Sequence, residues 1–173
     1  MAVLVLTVIG NDRPGLVDTL SATIAEHGGN WEESRMAHLA SKFAGILCIS
    51  VAEARAQALA RALEALAEDG LQVTAEQGGE ATATPRHTLH LELVGQDRPG
   101  IVHDIAHALA VHGVSIEELS TETRSASMGG GQLFEARATL AVPPDVALDD
   151  LRTGLEALAD ELMVDLHLEQ ELL

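Results

Sequence analysis

An internal duplication constrains this chain more than any other feature. A shift of 85 residues lays Gly10-Asn11-Asp12-Arg13-Pro14-Gly15-Leu16-Val17 on Gly95-Gln96-Asp97-Arg98-Pro99-Gly100-Ile101-Val102, and His27-Gly28 on His112-Gly113. The same shift places Asn30 on Ser115 and Glu32-Glu33 on Glu117-Glu118. The offset grows to 91 where Phe43 meets Phe134, and to 92 where Leu63-Glu64-Ala65-Leu66-Ala67 meets Leu155-Glu156-Ala157-Leu158-Ala159. Two copies of a unit of about 80 residues, with insertions in the second, describe two small domains of one fold. Two copies are too few for an open solenoid.

Each copy has the same internal order. Val3 to Ile9 is apolar and rich in β-branched residues, and reads as a strand buried on both faces or nearly so. Pro14 suits a first helical turn, where its missing N–H would have no partner anyway. Leu16, Val17, Leu20, Ile24 and Ala25 follow helical spacing until Gly28-Gly29 stops it. Residues 30–39 and 43–51 read as two strands. An Ala- and Leu-rich helix over Ala54–Asp69 carries Leu59, Leu63 and Leu66 on one face and closes at Gly70. Leu71, Val73 and Ala75 alternate with polar residues as a one-sided strand does.

In the second copy the corresponding segments are a strand at 87–94, a helix at 99–112, strands at 114–124 and 132–142, a helix at 145–161 and a strand at 163–170. Ser125 to Gly131, rich in glycine, reads as a mobile loop. Small and polar residues from Gly78 to Pro85 form the connection. The domains are therefore 1–78 and 87–173, joined by a linker at 79–86, and Glu169 to Leu173 forms a strand end with a short tail. The order β-α-β-β-α-β is the α+β ferredoxin-like unit, a four-stranded antiparallel sheet with two helices on one face. Its sheet edges are open, and two sheets can pair side by side to cover them.

Charge narrows the partners. The net charge is −17, with 5 basic and 11 acidic residues in 1–80 and 5 and 16 in 81–173. Such a chain repels phosphate backbones and anionic lipid, so neither direct nucleic-acid binding nor membrane association is expected. No apolar run approaches the roughly 20 residues of a membrane span, and the opening lacks the basic start of a signal peptide. The expected location is the cytoplasm. Cys48 is the one cysteine, so no internal disulfide forms. Its place in Ile46-Leu47-Cys48-Ile49 suggests a buried, inert thiol.

The repeated turn carries the most chemistry. The first N–H groups of the helix, around Gly15, Leu16 and Val17, lie at its positive end and suit a carboxylate. Asp12 beside them can accept hydrogen bonds from an ammonium group. Together they answer the needs of a free α-amino acid. The same residues also fit a plainer arrangement, in which Asp12 caps its helix and Arg13 pairs with it on the surface.

The Asp-Arg-Pro-Gly turns, the β-α-β-β-α-β order and the tandem duplication resemble ACT domains, which are amino-acid-sensing regulatory modules. Gly10 to Asp18 and His27 to Ala37 resemble the first ACT domain of the glycine cleavage system transcriptional repressor family. Asp97 to Val102, Ser115-Ile116-Glu117, Leu133-Phe134 and Pro143 resemble its second. The resemblance implies a ligand held between the first strand–helix turn of one unit and the second strand of its neighbour. It thereby nominates Asn11, Asp12, Gly15, Leu16 and Val17 with Asn30 and Ser34, and Gln96, Asp97, Gly100, Ile101 and Val102 with Ser115. It further implies a regulator that binds a small amino acid, glycine or serine, and acts through a protein partner such as a transcriptional activator. Homo-oligomers through ACT sheets fit the same picture.

An alternative is an ACT-fold interaction module without ligand sensing, acting on an enzyme or regulator through sheet or helix contacts. An enzyme is not expected, because no nucleophile–base pair is legible, and no cofactor is expected. His103 and His107 have the i, i+4 spacing of zinc ligands but lack a third, so no metal site is assigned. Trp31 reads as a core or interface side chain.

Overall fold

The computed structural model describes residues 1–79, 84 and 86–171. Glu80 to Ala83 and Pro85 of the expected linker, and Leu172-Leu173 of the expected tail, lie outside the described residues. The chain divides into two compact units, Met1–Thr82 and Ala83–Leu173. The first runs β1 (Ala2–Asn11), α1 (Leu16–Glu26), β2 (Asn30–Leu39), β3 (Lys42–Val51), α2 (Glu53–Glu64), a 3-10 turn (Ala65–Asp69) and β4 (Leu71–Gln77). The second runs β5 (His87–Gln96), α3 (Ile101–Val111), β6 (Ser115–Ser125), a short 3-10 turn (Ser127–Gly129), β7 (Gln132–Val142), α4 (Leu148–Leu162) and β8 (Val164–Gln170). Each sheet has the same antiparallel order, β2-β3-β1-β4 and β6-β7-β5-β8. These are two α+β ferredoxin-like units.

Each core lies between the sheet and its helices. In the first, Leu4, Leu6 and Val8 of β1 meet Leu16, Leu20 and Ile24, which sit at i, i+4 and i+8 on α1. Leu59, Leu63 and Leu66 close the core from α2 and the 3-10 turn. The second repeats this with Leu89, Leu91 and Leu93, Ile101, Ile105 and Leu109, and Leu151 and Leu155. No polar side chain is buried among the described residues.

Several expectations are corrected. β1 is buried on one face only. Ala2, Leu4, Leu6 and Val8 point inward, while Val3, Val5 and Ile9 remain 36–42% exposed, because both helices pack on the same side. Parity therefore puts Cys48, between buried Leu47 and Ile49, on the open face, where it is half-exposed rather than buried. Val17 is 46% exposed, since α1 covers the sheet through Leu16, Leu20 and Ile24 alone.

The helices also start later than their prolines suggest. Gly15 and Gly100 sit at the N-cap with φ of 89° and 93°, a left-handed conformation that halts helical geometry before Leu16 and Ile101. Pro14 and Pro99 consequently precede the helix instead of opening its first turn. The helix over 54–69 tightens into 3-10 geometry at Ala65, and left-handed Gly70 ends it. α4 begins at Leu148, three residues beyond expectation, after a turn closed by Val146 N–H donating to the Pro143 carbonyl at 3.1 Å.

Candidate functional site

The two Asp-Arg-Pro-Gly turns sit at corresponding places, where the central strands β1 and β5 hand over to α1 and α3. In the first turn the Asp12 N–H donates to the Ser41 carbonyl at 3.0 Å, tying the turn to the β2–β3 hairpin. Asp97 N–H makes the matching bond to Gln132 at 2.9 Å. Arg13 donates from Nη2 to the Asp69 carbonyl at 2.9 Å, anchoring the turn to the end of the 3-10 segment.

These contacts remove the plainer arrangement. Arg13 is engaged with Asp69, and neither helix has a side-chain cap. Thr19 N–H donates to the Gly15 carbonyl at 2.9 Å and is the first ladder bond of α1. The N–H groups of Leu16, Val17 and Asp18 therefore lie ahead of that ladder and point out of the positive helix end. Leu16 and Ile101 bury their side chains in the cores, so only their backbone can meet a ligand.

Beside this donor set stands the Asp12 carboxylate, with its Oδ2 3.5 Å from Nε2 of His38 on β2. Lys42 Nζ donates to the Asn11 Oδ1. A recess of about 270 Å³ opens next to it, lined by Ile9, Gly10, Asn11, Lys42, Ala67, Gly70 and Gln72. Gly10 lets β1 lie close against the turn that leads into β4, since a Cβ there would lie 2.9 Å from the Gly70 carbonyl. Sequence reasoning named neither His38 nor Lys42. The signal lay in strand register, which aligns Asn11 with Lys42 and His38 with Phe43.

The second turn is different. Leu133 stands opposite Gln96 and Thr123 opposite Phe134, so the positions of Lys42 and His38 hold no cation. The Gln96 amide reaches only the Gly130 carbonyl, at 3.5 Å.

Within a unit the nominated residues do not all meet. Register places Asn11 level with Lys42 and Leu39, whereas Asn30 is level with Ser50 and Val3. Eight strand positions separate the two ends of the sheet, roughly 25 Å. Gln96 and Ser115 are likewise at opposite ends. Ser34 lies midway, paired with Leu47. The second-strand groups already have partners. Asn30 donates to Glu32 at 2.8 Å, Trp31 Nε1 to Ser34 at 3.1 Å, and Arg86 to Ser115 at 3.3 Å. Bonds from Ser50 and then Asn30 hold the Glu32 carboxyl below its ordinary range. Trp31 is half-buried against the first core.

His103 and His107 stack with ring centroids 6.1 Å apart on the exposed side of α3. No group of three metal-ligating side chains forms among the described residues. No described helix is long and apolar enough to cross a membrane.

Comparison with known proteins fits this architecture. Residues 2–76 match one ACT-domain family model and residues 84–163 match another. The chain belongs to the ACT-domain family and carries two such domains in tandem. It is similar to the glycine cleavage system transcriptional repressor of Escherichia coli (strain K12), with 26% identity over 164 residues, covering 92% of this chain and 85% of that one. A crystal structure of an unknown protein from Galdieria sulphuraria is 31% identical, with a TM-score of 0.88 and 99% of each chain covered. A second crystal structure, provisionally assigned as a glycine cleavage system transcriptional repressor, is 20% identical with a TM-score of 0.73 over 98% of this chain and 97% of that one. It shares the fold.

Proposed function

We propose that this protein is an amino-acid-responsive regulator that binds glycine or serine at its Asp-Arg-Pro-Gly turns. The observation that carries the reading is an uncapped helix N-terminus with a carboxylate beside it, built into ACT domains. The ligand carboxylate accepts from the N–H groups of Leu16 and Val17, and its ammonium donates to Asp12. The first turn, with Asn11, Lys42 and His38 around it, is the stronger site. Gly100, Ile101, Val102, Gln96 and Asp97 form the weaker one. Asn30, Ser34 and Ser115 stand too far from the turns of their own units, so they can serve a turn only from a different ACT unit.

The protein catalyses nothing in this reading. Binding shifts a conformational population and with it the affinity for a protein partner, such as a transcriptional activator. The acidity of the chain supports action through a protein rather than on DNA. A panel of the twenty amino acids tested by thermal unfolding provides a first check, since a ligand of the folded state raises Tm with concentration. Glycine or serine should do so, and a flat panel would reject the reading.

A second reading has its own support. Asn11, Asp12, Asn30 and Ser34 are all engaged within the chain, which suits an interaction module without ligand sensing. A double variant, Asp12→Ala with Asp97→Ala, would then bind its protein partner as the parent does.

A further inference from the structure

The two units close their cores differently beside the first helix. In the first, β2 packs Trp31 and Met36 against the core, both half-buried. In the second, none of the 11 residues of β6 is buried. The repeat shows what differs. Trp31 corresponds to Ile116, Met36 to Thr121 and Leu47, on the facing strand, to Ala138. Each change removes bulk, and a pocket opens between α3 and β6. Its lining includes Ile101, Val102, Ile105, Phe134 and Ala138, and every residue in it is apolar. Val102, Ile116 and Leu119 at its mouth are 42%, 36% and 48% exposed. The first unit shows that the fold can be filled at this place, so folding alone does not call for the opening. An apolar recess with an exposed apolar rim marks a ligand site.

We infer that the second Asp-Arg-Pro-Gly turn takes a branched aliphatic α-amino acid (leucine, isoleucine or valine) whose side chain fills this pocket. The inference rests on the reading that these turns bind amino acids, and it names the class for the second turn. No polar side chain lines the pocket, so a hydroxyl or amide carried into it would lose its hydrogen bonds with water. Its volume of about 20 Å³, a little over one water-sized sphere, admits the end of a branched chain and excludes a long acyl chain. Ile101 and Val102 each serve twice. Their side chains line the pocket, and their N–H groups precede the first ladder bond of α3, from Asp104 N–H to the Gly100 carbonyl at 2.9 Å. A ligand held there by its carboxylate has the pocket beside its side chain, and Asp97 accepts from its ammonium. Charge favours such a zwitterion over a plain fatty acid. With 5 basic and 16 acidic residues in 81–173, this half of the chain repels a net anion but not a neutral amino acid. Glycine and serine leave the pocket empty, which makes the second turn the weaker site for them.

Calorimetric titration of the full chain with leucine, isoleucine and valine, and with isocaproate, tests this. At least one branched amino acid should bind, with a negative heat-capacity change from the side chain it buries. Isocaproate, which is leucine without its amino group, should bind at least about tenfold more weakly. Ala138→Leu, which restores the residue of the first unit, should abolish binding of the branched amino acid at an unchanged circular dichroism spectrum. If that variant fails to fold, Leu119→Ser changes an exposed position to match Ser34 and should weaken binding about tenfold. Branched amino acids that fail to bind where glycine or serine does overturn this inference and leave the amino-acid reading standing. No binding by any of the twenty overturns both. Binding that survives both Leu119→Ser and Asp97→Asn, or equal affinity for isocaproate, overturns the inference as well.

Discussion

The Asp12 carboxylate lies 3.5 Å from the imidazole of His38, reaching from the turn to the second strand of its own sheet. Both side chains are about half exposed, so the contact is a solvated pair worth less than about 1 kcal/mol. Its interest is positional, since it links the turn beside an uncapped helix to the second strand. His38→Ala should therefore change stability by less than about 1 kcal/mol in urea unfolding while glycine or serine still binds. Asp12→Asn should also fold, yet weaken binding about tenfold or more, because a charge-assisted bond to the ammonium is lost. Equal effects of the two substitutions would make Asp12 a structural residue.

Gly15 and Gly100 hold a backbone conformation with φ near +90°, and a Cβ at either would meet nothing within 4 Å. Space is not the constraint there; conformation is. Gly15→Ala should destabilise the chain by about 1–2 kcal/mol in chemical unfolding. Gly79, equally open but without a positive φ, should tolerate alanine with little change.

Arg13 bonds to the Asp69 carbonyl, and this bond fixes the turn against the end of the 3-10 segment. Arg13→Ala should cost about 1 kcal/mol and loosen the turn, visible as faster amide exchange from Asn11 to Val17. Unchanged exchange would show that the hairpin bond from Asp12 N–H holds the turn alone.

Acid should weaken the fold through particular carboxylates. Hydrogen bonds from Ser50 and Asn30 depress Glu32, and bonds from Arg124 above all depress Glu135. A group whose folded pKa is lowered lends stability above its unfolded value, near 4.5, and loses it as pH falls through the lower folded value. Urea midpoints should accordingly drop below about pH 4.5, and Glu32→Gln should flatten that decline. An identical pH profile in the variant would remove Glu32 from the account.

The fold was legible because its signals are local. Apolar periodicity, the Gly28-Gly29 and Gly70 stops and the 85-residue repeat place the eight strands and four α-helices in their order, though neither 3-10 segment. Strand β7 runs from Gln132 to Val142, as the pattern alone predicts. What remained hidden depends on register and on coverage. An apolar run such as Val3 to Ile9 reads the same whether one face or two will be covered, so the open face and the placement of Cys48 emerge only from packing. Lys42 and His38 enter the turn from strands about 30 residues away, and nothing beside Asn11 or Asp12 in the chain announces them. The proline rule also misjudged the helix starts, because left-handed Gly15 and Gly100 intervene.

In the proposed function a small amino acid binds at the first Asp-Arg-Pro-Gly turn. Calorimetric titration of the full chain with glycine and with serine, repeated on Asp12→Asn, tests it most directly. Saturable binding of one of them by the parent, weakened about tenfold or more in the variant, is the predicted result. Absence of binding by any of the twenty amino acids, or full affinity in Asp12→Asn, would contradict it.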